Sequence, residues 1–318
     1  MKIITHTDIL NTKISPLQCY EWVSDILKYK SEAILPAKIS IKPLNGVFHN
    51  FMPSLLPKYG VGGVKIVTRY PSRNPALDSK ILLYDYETGN IKALLDGNYI
   101  TTMRTGAVAA HSIALFSKQG FKVIGMMGLG NQARATVKVL LALYPKRRLI
   151  LKLLKYKEQH LLFGEYVRNL TGSDNIEIIW CDSYRDTVYG SDIIISSVTY
   201  FENDICENDC FDEGCLVLPI HTRGFMNCDR FFDKIYADDK DHVKEFKYFN
   251  QFKKFAEVSD VLNGNSEGRV NDNERILVYN IGLSIHDINF AEKIYQIAYL
   301  KKIGEEISLE SPTSKFWL

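Results

Sequence analysis

The sequence lacks the features that would direct a chain to a membrane or into the secretory pathway. None of its apolar runs approaches the roughly 18 residues that a membrane-spanning helix needs, and residues 1–8 lack the apolar core of a signal peptide. The six cysteines include no Cys-x-x-Cys pair, although Cys206, Cys210 and Cys215 lie close together. We therefore expect a cytoplasmic protein with reduced thiols and no metal site.

A strong charge of one sign, internal repeats and long low-complexity segments are also missing. The formal net charge of the 318 residues is +2, which argues against a general nucleic-acid-binding surface. Hydrophobic residues make up 46% of the chain and charged residues 24%, as in ordinary globular proteins, and the length suffices for two domains. We expect neither a nucleic-acid nor a membrane partner.

The most informative segment is 122–134, where an apolar run leads into a glycine turn and then a helical pattern. Val123–Met127 is typical of a short buried strand. Gly128 permits a tight turn, Gly130 lets backbone N–H groups approach a pyrophosphate, and Ala133 allows close helix–strand packing. The helix N-terminus then favours the anion. This pattern predicts a site for a nicotinamide or flavin dinucleotide, formed by Gly128, Gly130, Asn131, Gln132 and Ala133.

Strands and helical patterns alternate after this turn. Such alternation predicts an α/β fold with a parallel, doubly wound sheet, that is, a Rossmann domain, over residues 113–288. An Asn-, Gly- and Ser-rich segment, 263–273, is expected to be a surface loop. The predicted strands are 149–154, 176–180, 192–198, 214–219 and 234–238, and the predicted helices are 158–170 and 183–189.

Residues 1–112 have a different pattern, typical of an α+β domain. Ser15 and Pro16 begin an amphipathic helix, and a later helix over 99–116 has a face of small residues that permits close packing. A helix over 285–308 is expected to return to this domain, which would then be discontinuous and consist of 1–112 and 289–318. The predicted strands are 37–43, 47–52, 63–68, 79–85 and 90–95, with a hairpin loop at 87–90.

Several segments together resemble the ornithine cyclodeaminase and mu-crystallin family. Leu95-Asp-Gly-Asn-Tyr-Ile-Thr-Thr-Met-Arg-Thr-Gly-Ala is similar to its "dG..iT..RTaA" signature, and Gly128-Leu-Gly-Asn-Gln-Ala to its "GaG.Qa". Asp192-Ile-Ile-Ile-Ser-Ser, Leu262-Asn-Gly and Asn280-Ile-Gly-Leu-Ser-Ile-His-Asp follow in family order. The resemblance implies a homodimer whose subunits combine a substrate-binding and dimerisation domain with a Rossmann domain. It also implies oxidation or reduction of a carbon–nitrogen bond at the α-carbon of an amino acid, with a nicotinamide cofactor.

The same resemblance implies roles for individual residues. Arg104 matches the arginine that binds the substrate carboxylate and abuts the cofactor, next to Thr105; its planar guanidinium suits bidentate binding. Lys65 matches the active-site lysine, and burial in its apolar strand would lower its pKa and suit it to proton transfer. Lys38 stands where the family often has an arginine in the first substrate strand, and it can still neutralise a carboxylate.

The chain departs from the cyclodeaminases in two places. Cyclodeaminases have an aspartate in the loop after the fifth strand, where this chain has His221, and a following glutamate, where it has Asn227. His221 could replace the aspartate as a general acid or base. Near residues 51–53, where cyclodeaminases have a glutamate for the distal amine, this chain has Asn50. Both departures argue against ornithine cyclisation.

The end of the second Rossmann strand bears on the cofactor. An NAD enzyme is expected to have an acidic residue there, whereas this chain has Lys155, Tyr156 and Lys157, so NADP(H) is favoured; Glu158 keeps NAD(H) open. Ser196, Ser197 and Val198 close the fourth strand on the nicotinamide side. Asn280 and Ile281 match a stretch that approaches the nicotinamide ring.

Three functions follow as hypotheses. The first is an NAD(P)-dependent oxidoreductase that transfers hydride at the α-carbon of an imino or α-amino acid, as an imine or ketimine reductase or an amino-acid dehydrogenase. Arg104 and Lys38 would bind the carboxylate, and Lys65 or His221 would move the proton. The alternatives are an ornithine cyclodeaminase, which forms proline and ammonia, and a mu-crystallin-like ligand-binding protein.

Overall fold

The computed structural model describes residues 1–171, 175–199, 201–220, 224–309 and 312–316. Its strands are β1 (Lys2–Ile4), β2 (Ile39–Ile41), β3 (Phe48–Leu56), β4 (Val61–Arg69), β5 (Leu77–Asp85), β6 (Ile91–Asp96), β7 (Val123–Met127), β8 (Leu149–Leu154), β9 (Ile176–Cys181), β10 (Ile193–Ser196), β11 (Leu216–Pro219), β12 (Lys234–Ala237), β13 (Phe255–Glu257), β14 (Ile276–Tyr279) and β15 (Glu305–Glu306). Its α-helices are α1 (His6–Asn11), α2 (Pro16–Lys28), α3 (Asn98–Phe116), α4 (Asn131–Leu143), α5 (Gln159–Thr171), α6 (Tyr184–Val188), α7 (Cys228–Phe231), α8 (Val258–Leu262) and α9 (Ser284–Leu300).

The chain divides into two compact units. The first unit consists of Met1–Ile14, Ser31–Thr101 and Ser284–Leu318, and the second of Ser15–Lys30 and Thr102–Leu283. No α-helix within the described residues is both long and apolar enough to span a membrane.

The second unit contains a parallel sheet in the order β13-β12-β14-β11-β10-β7-β8-β9, counted over the described residues. From β7 the chain adds β8 and β9 on one side and then crosses to β10 on the other. The strand order therefore reverses between β7 and β10, which is where open α/β sheets bind their ligands. The buried strands are rich in Ile, Leu and Val, as expected for a sheet covered on both faces. This arrangement confirms the predicted doubly wound Rossmann fold.

The first unit contains a mixed sheet in the order β15-β1-β6-β5-β4-β3-β2. Strands β2 to β6 form antiparallel neighbours, whereas β1 pairs in parallel with β6. Helix α9 packs across β3, β4 and β5. The turn between β5 and β6 contains Gly89 in the left-handed region (φ +71°), as expected for the predicted hairpin loop.

The boundaries of the units differ from the prediction in two respects. Helix α2 begins at Ser15 with the predicted cap, whose hydroxyl accepts from the Gln18 N–H, but it belongs to the second unit, because its apolar side packs against α4 and α8. The crossover points lie at residues 101–102 and 283–284 instead of 112–113 and 288–289.

Helix α9 is shorter than the predicted 285–308. It ends at Leu300 because Lys302 (φ +55°) and Gly304 (φ +84°) take up left-handed backbone conformations that a helix cannot continue. The chain then forms β15, which pairs with β1.

Candidate active site

The glycine turn after β7 has the geometry expected of a pyrophosphate cradle. Gly128 has φ +74°, and a Cβ on it would lie 2.4 Å from the carbonyl carbon of Ser197. Gly130 caps α4, and a Cβ on it would have no other atom within 4 Å. Position 128 thus needs glycine because of its backbone conformation and its close packing against Ser197. Gly130 leaves open space in front of the α4 N–H groups, where an anion can bind.

Three buried polar atoms lie at the carboxyl ends of β10 and β14, on the same edge of the parallel sheet as this turn. They are the hydroxyl oxygens of Ser196 and Ser197 and the side-chain nitrogen of Asn280, and none has a hydrogen-bond partner among the described residues. The Asn280 side-chain oxygen accepts a hydrogen bond from the Ser112 hydroxyl at 3.1 Å, which fixes the orientation of the amide. Because a buried polar atom without a partner is costly, these atoms fit the polar edge of a bound nicotinamide dinucleotide.

A carboxylate that the sequence did not predict lies beside the lysine at the end of β8. Lys155 Nζ lies 2.8 Å from Asp182 Oδ1, at the end of the neighbouring β9. Tyr156 is exposed, and the Lys157 Nζ lies 5.4 Å from the centre of its ring. The positive charge predicted for this edge is thus partly offset by Asp182. Only the pairing of β8 with β9 brings the two residues together, so no local motif could have shown it.

Arg104 and Thr105 lie in α3 and are buried, each 3% exposed. Their helix approaches α4 closely at Gly106, where a Cβ would lie 2.4 Å from the carbonyl carbon of Ala135. This contact explains the predicted face of small residues on α3. Arg104 is therefore not an exposed helix arginine, and its burial agrees with a role in binding an anion.

Lys65 lies in β4 and forms an ion pair inside the first unit. Its Nζ lies 2.6 Å from Asp287 Oδ2 on α9, and the two side chains are 1% and 0% exposed. Burial of Lys65 agrees with the prediction, but the carboxylate partner was missed. Asp287 belongs to a segment that matches the family, and no role was assigned to it. A neighbouring carboxylate favours the ammonium form of the lysine, against the effect of burial.

The other predicted site residues have varied surroundings. Lys38 is exposed and directly precedes β2. Asn50 on β3 accepts a hydrogen bond from the Ser40 hydroxyl at 2.6 Å. The Asn227 side chain donates to the Cys206 carbonyl oxygen at 3.0 Å. His221 lies outside the described residues.

The closely spaced cysteines are free thiols in the described chain. Burial raises the pKa of the Cys215 thiol to about 12, and it raises those of Cys206 and Cys210 as well. A metal ligand must be a thiolate, which these surroundings disfavour. No group of three His, Cys, Asp or Glu side chains suited to a metal ion occurs among the described residues.

Comparison with known proteins agrees with this architecture. A Δ1-pyrroline-2-carboxylate reductase of Bacillus cereus is 25% identical over 320 residues, covering 90% of this chain and 95% of that protein. The nodulation efficiency protein NfeD of Rhizobium meliloti is 26% identical over 284 residues, covering 86% and 87%. The structure of Thermococcus litoralis Δ1-pyrroline-2-carboxylate reductase in complex with NADH and L-proline superposes with a TM-score of 0.84 at 24% identity, covering 96% of this chain and 100% of that one. The sequence profile of the ornithine cyclodeaminase/mu-crystallin family matches residues 23–302, so the chain belongs to that family.

Proposed function

We propose that this chain reduces the carbon–nitrogen double bond of a small cyclic α-imino acid, such as pyrroline-2-carboxylate, to the corresponding amino acid. The wider class, NAD(P)-dependent oxidoreductases that act on CH–NH or C=N bonds, is supported by its family and its relatives. The main supporting observation is the set of buried polar atoms on Ser196, Ser197 and Asn280, at the same edge of the sheet as the glycine turn, because these are groups with which a nicotinamide dinucleotide would form hydrogen bonds.

In this reaction two residues bind the substrate carboxylate and one donates a proton to the nitrogen. A nicotinamide dinucleotide held by the glycine turn, Ser196, Ser197 and Asn280 would supply a hydride for the α-carbon, where a new C–H bond replaces the C=N π bond. The electron pair of that bond moves to nitrogen, which takes a proton from Lys65; His221 is the alternative donor. Arg104 binds the substrate carboxylate through its two N–H edges, with Lys38 as a second cation. One hydride and one proton thus convert the imine into an amine.

Ornithine cyclisation has weaker support. In that reaction a carboxylate would handle the distal ammonium, and this chain has Asn50 where the cyclodeaminases have a glutamate. Asn50 already accepts a hydrogen bond from Ser40, and an amide does not offer the charge-assisted contact that an ammonium prefers. A cyclic imino acid has no distal amine and needs no such contact.

We further propose that the protein prefers NADP(H), forms a homodimer and is located in the cytoplasm. A preference for NADP(H) is supported by Lys155 and Lys157 and opposed by Asp182. A homodimer is supported by the family resemblance and by the exposed apolar side chains of β2. A cytoplasmic location is supported by the six cysteines, all within the described residues and all free.

A direct assay tests the reaction. Purified protein is mixed with pyrroline-2-carboxylate and either NADPH or NADH, and oxidation of the nicotinamide is followed by absorbance. We expect turnover with formation of proline, and loss of turnover in Arg104→Ala, since the carboxylate contact is removed. Ornithine with NAD⁺ is the comparison. Release of proline and ammonia from ornithine at a rate similar to that of imine reduction would contradict the proposal.

A further inference from the structure

We infer that Asp287 is a positioning residue that holds the Lys65 ammonium in place and in its protonated form. The strength of the proton donor would then be determined by a helix residue 222 positions away in the chain. The inference rests on the proposed role of Lys65 in imine reduction.

The first observation is the burial of the pair. Lys65 is flanked in the sheet by Met52 of β3 and Ile81 of β5, neither of which can carry a charge. Lys65 Nζ donates to Asp287 Oδ2 at 2.6 Å, and neither side chain reaches solvent appreciably. An ammonium buried in this way needs a nearby negative charge, since desolvation alone would drive off its proton.

The second observation is that the sequence of β4 lets α9 come close enough to make this contact. Gly63 lies two residues before Lys65, on the same face of the strand. A Cβ on Gly63 would lie 2.6 Å from the Leu82 carbonyl oxygen and 2.7 Å from the Ile288 Cδ1 atom, so the absence of a side chain here lets Ile288 of α9 pack directly on β4. The Ser284 hydroxyl donates to the Pro53 carbonyl oxygen at 2.8 Å and ties the first turn of α9 to β3. The contacts of Ser284 and Ile288, which precede and follow Asp287 on α9, thus hold Asp287 beside Lys65.

The other ionisable groups on the surrounding elements have partners or positions of their own. Glu292, one turn beyond Asp287 on α9, accepts from Lys92 of β6 at 2.8 Å. Lys80, beside Ile81 on β5, pairs with Asp78 at 2.7 Å. His286 is buried next to Asp287 on α9, His49 on β3 contacts the Tyr70 hydroxyl, and Asp8 on α1 bonds to Thr5. The remaining ones also have contacts of their own: Arg69 on β4 donates to the Gly46 carbonyl oxygen, Asp85 on β5 accepts from the Thr88 N–H, His6 on α1 lies 3.2 Å from Asp96, and the Lys293 ammonium on α9 lies over the Tyr59 ring.

Asp287→Asn tests the inference, because it removes the charge while nearly preserving the shape. Without the carboxylate the ammonium form of Lys65 loses stabilisation and its pKa falls. The alkaline limb of the profile of kcat/KM against pH, where the donor loses its proton, should therefore move to lower pH by about one unit or more. The matched control is Glu292→Gln, which breaks a lysine–carboxylate pair on the same helix and should leave the limb unchanged.

A second readout does not depend on turnover. The ¹⁵Nζ resonance of Lys65, identified by its loss in Lys65→Met, should titrate at lower pH in Asp287→Asn than in the wild type. Thermal melting establishes that the variants fold. Should Asp287→Asn not fold, Ser284→Ala loosens only the anchor of α9, and the limb should move in the same direction by less.

An unchanged limb and an unchanged titration in the folded variant would overturn the inference, even if the rate fell at every pH. An equal shift in Glu292→Gln would overturn it too, since the effect would then not belong to this pair. Absence of imine reduction by the wild-type protein would instead count against the proposed function, and the titration would still test Asp287.

Discussion

His111 lies in the core of the second unit on α3, 3% exposed, with its ring centre 5.5 Å from that of Tyr20 on α2. Burial, together with the charge of Lys28, lowers the pKa of His111 from 6.5 to about 4. The folded protein therefore keeps this imidazole neutral in a range where the unfolded chain would protonate it. Above pH 6.5 the imidazole is neutral in both the folded and the unfolded chain, so it does not lower the free energy of unfolding. As the pH falls from 6.5 towards 4, the unfolded chain takes up the proton first, and the free energy of unfolding decreases.

This difference predicts a pH-dependent stability that belongs to one residue. Between pH 6.5 and 4 the free energy of unfolding should fall by up to about 3 kcal/mol on account of His111. In His111→Gln, which cannot titrate, denaturant unfolding should show a correspondingly flatter pH dependence. The exposed His6, changed to Gln, is the control and should behave as the wild type does. Equal slopes in all three proteins would contradict the prediction.

The charge at the end of β8 is set by two residues, Lys155 and Asp182. An exposed ion pair of this kind contributes about 0.2–1 kcal/mol. Asp182→Asn should free Lys155 and tighten NADPH binding by about two- to fivefold, with little effect on NADH, as measured by nucleotide fluorescence. Glu177→Gln removes an exposed carboxylate elsewhere on β9 and should change neither affinity. Tighter binding of both nucleotides in Asp182→Asn would show that the carboxylate does not act on the 2′-phosphate.

Among the elements, the contact between α3 and α4 depends on a residue without a side chain. Gly106→Ala would place a Cβ 2.4 Å from the Ala135 backbone, so the two helices would have to separate. We expect destabilisation of about 1–3 kcal/mol, measured by denaturant unfolding. Gly130→Ala is the matched comparison, because its Cβ would meet no atom. It should leave stability nearly unchanged but weaken dinucleotide binding, as it occupies the space in front of α4. The reverse pattern would contradict this account of the two glycines.

Much of the second unit could be predicted because its elements are long and strongly patterned. The apolar runs of β7 and β8 have the predicted bounds, since each is a buried strand between polar turns. Strands of two or three residues, β1, β13 and β15, were missed because they are too short to show a period. Strand β14 was also missed. It is the last strand of its sheet in the chain but lies between β11 and β12, a placement that only the fold determines.

Those parts of the site that lie within a single local motif could be predicted from the sequence. The glycine turn and the burial of Lys65 were evident from the residues around them. Asp287 and Asp182 were not, because each acts on a lysine that is distant in sequence or on another strand. Pairing between distant charges leaves no periodic signal in a single sequence.

At the scale of the whole molecule, the sheet of the first unit ends in an apolar edge. Strand β2 is its outermost strand, and Ile39 and Ile41 are 58% and 53% exposed. An edge of this kind offers both unpaired backbone groups and apolar surface to another chain. We expect a homodimer that uses this edge. Replacing both isoleucines by aspartate should lower the mass measured by light scattering to the 36.4 kDa of one chain.

The control for assembly is Leu161→Asp, which changes an exposed leucine of α5 in the second unit. It should leave the mass unchanged. A wild-type protein that is monomeric at micromolar concentration would contradict the homodimer, and a double variant that stays dimeric would place the interface elsewhere.

The division of the first unit into three chain segments has a consequence for its synthesis on the ribosome. Strands β3 to β5 emerge before Thr101, whereas the helix that covers them begins at Ser284, roughly 180 residues later. At ~5–20 residues per second, translation of the intervening chain takes on the order of 10–40 s. The second unit is complete in sequence when Leu283 has been made, and only the 17 residues of α9 must then be translated before the first sheet can be covered. Until α9 has been made, the Asp287 carboxylate cannot contact Lys65, and the nascent sheet exposes an apolar face that a chaperone could recognise.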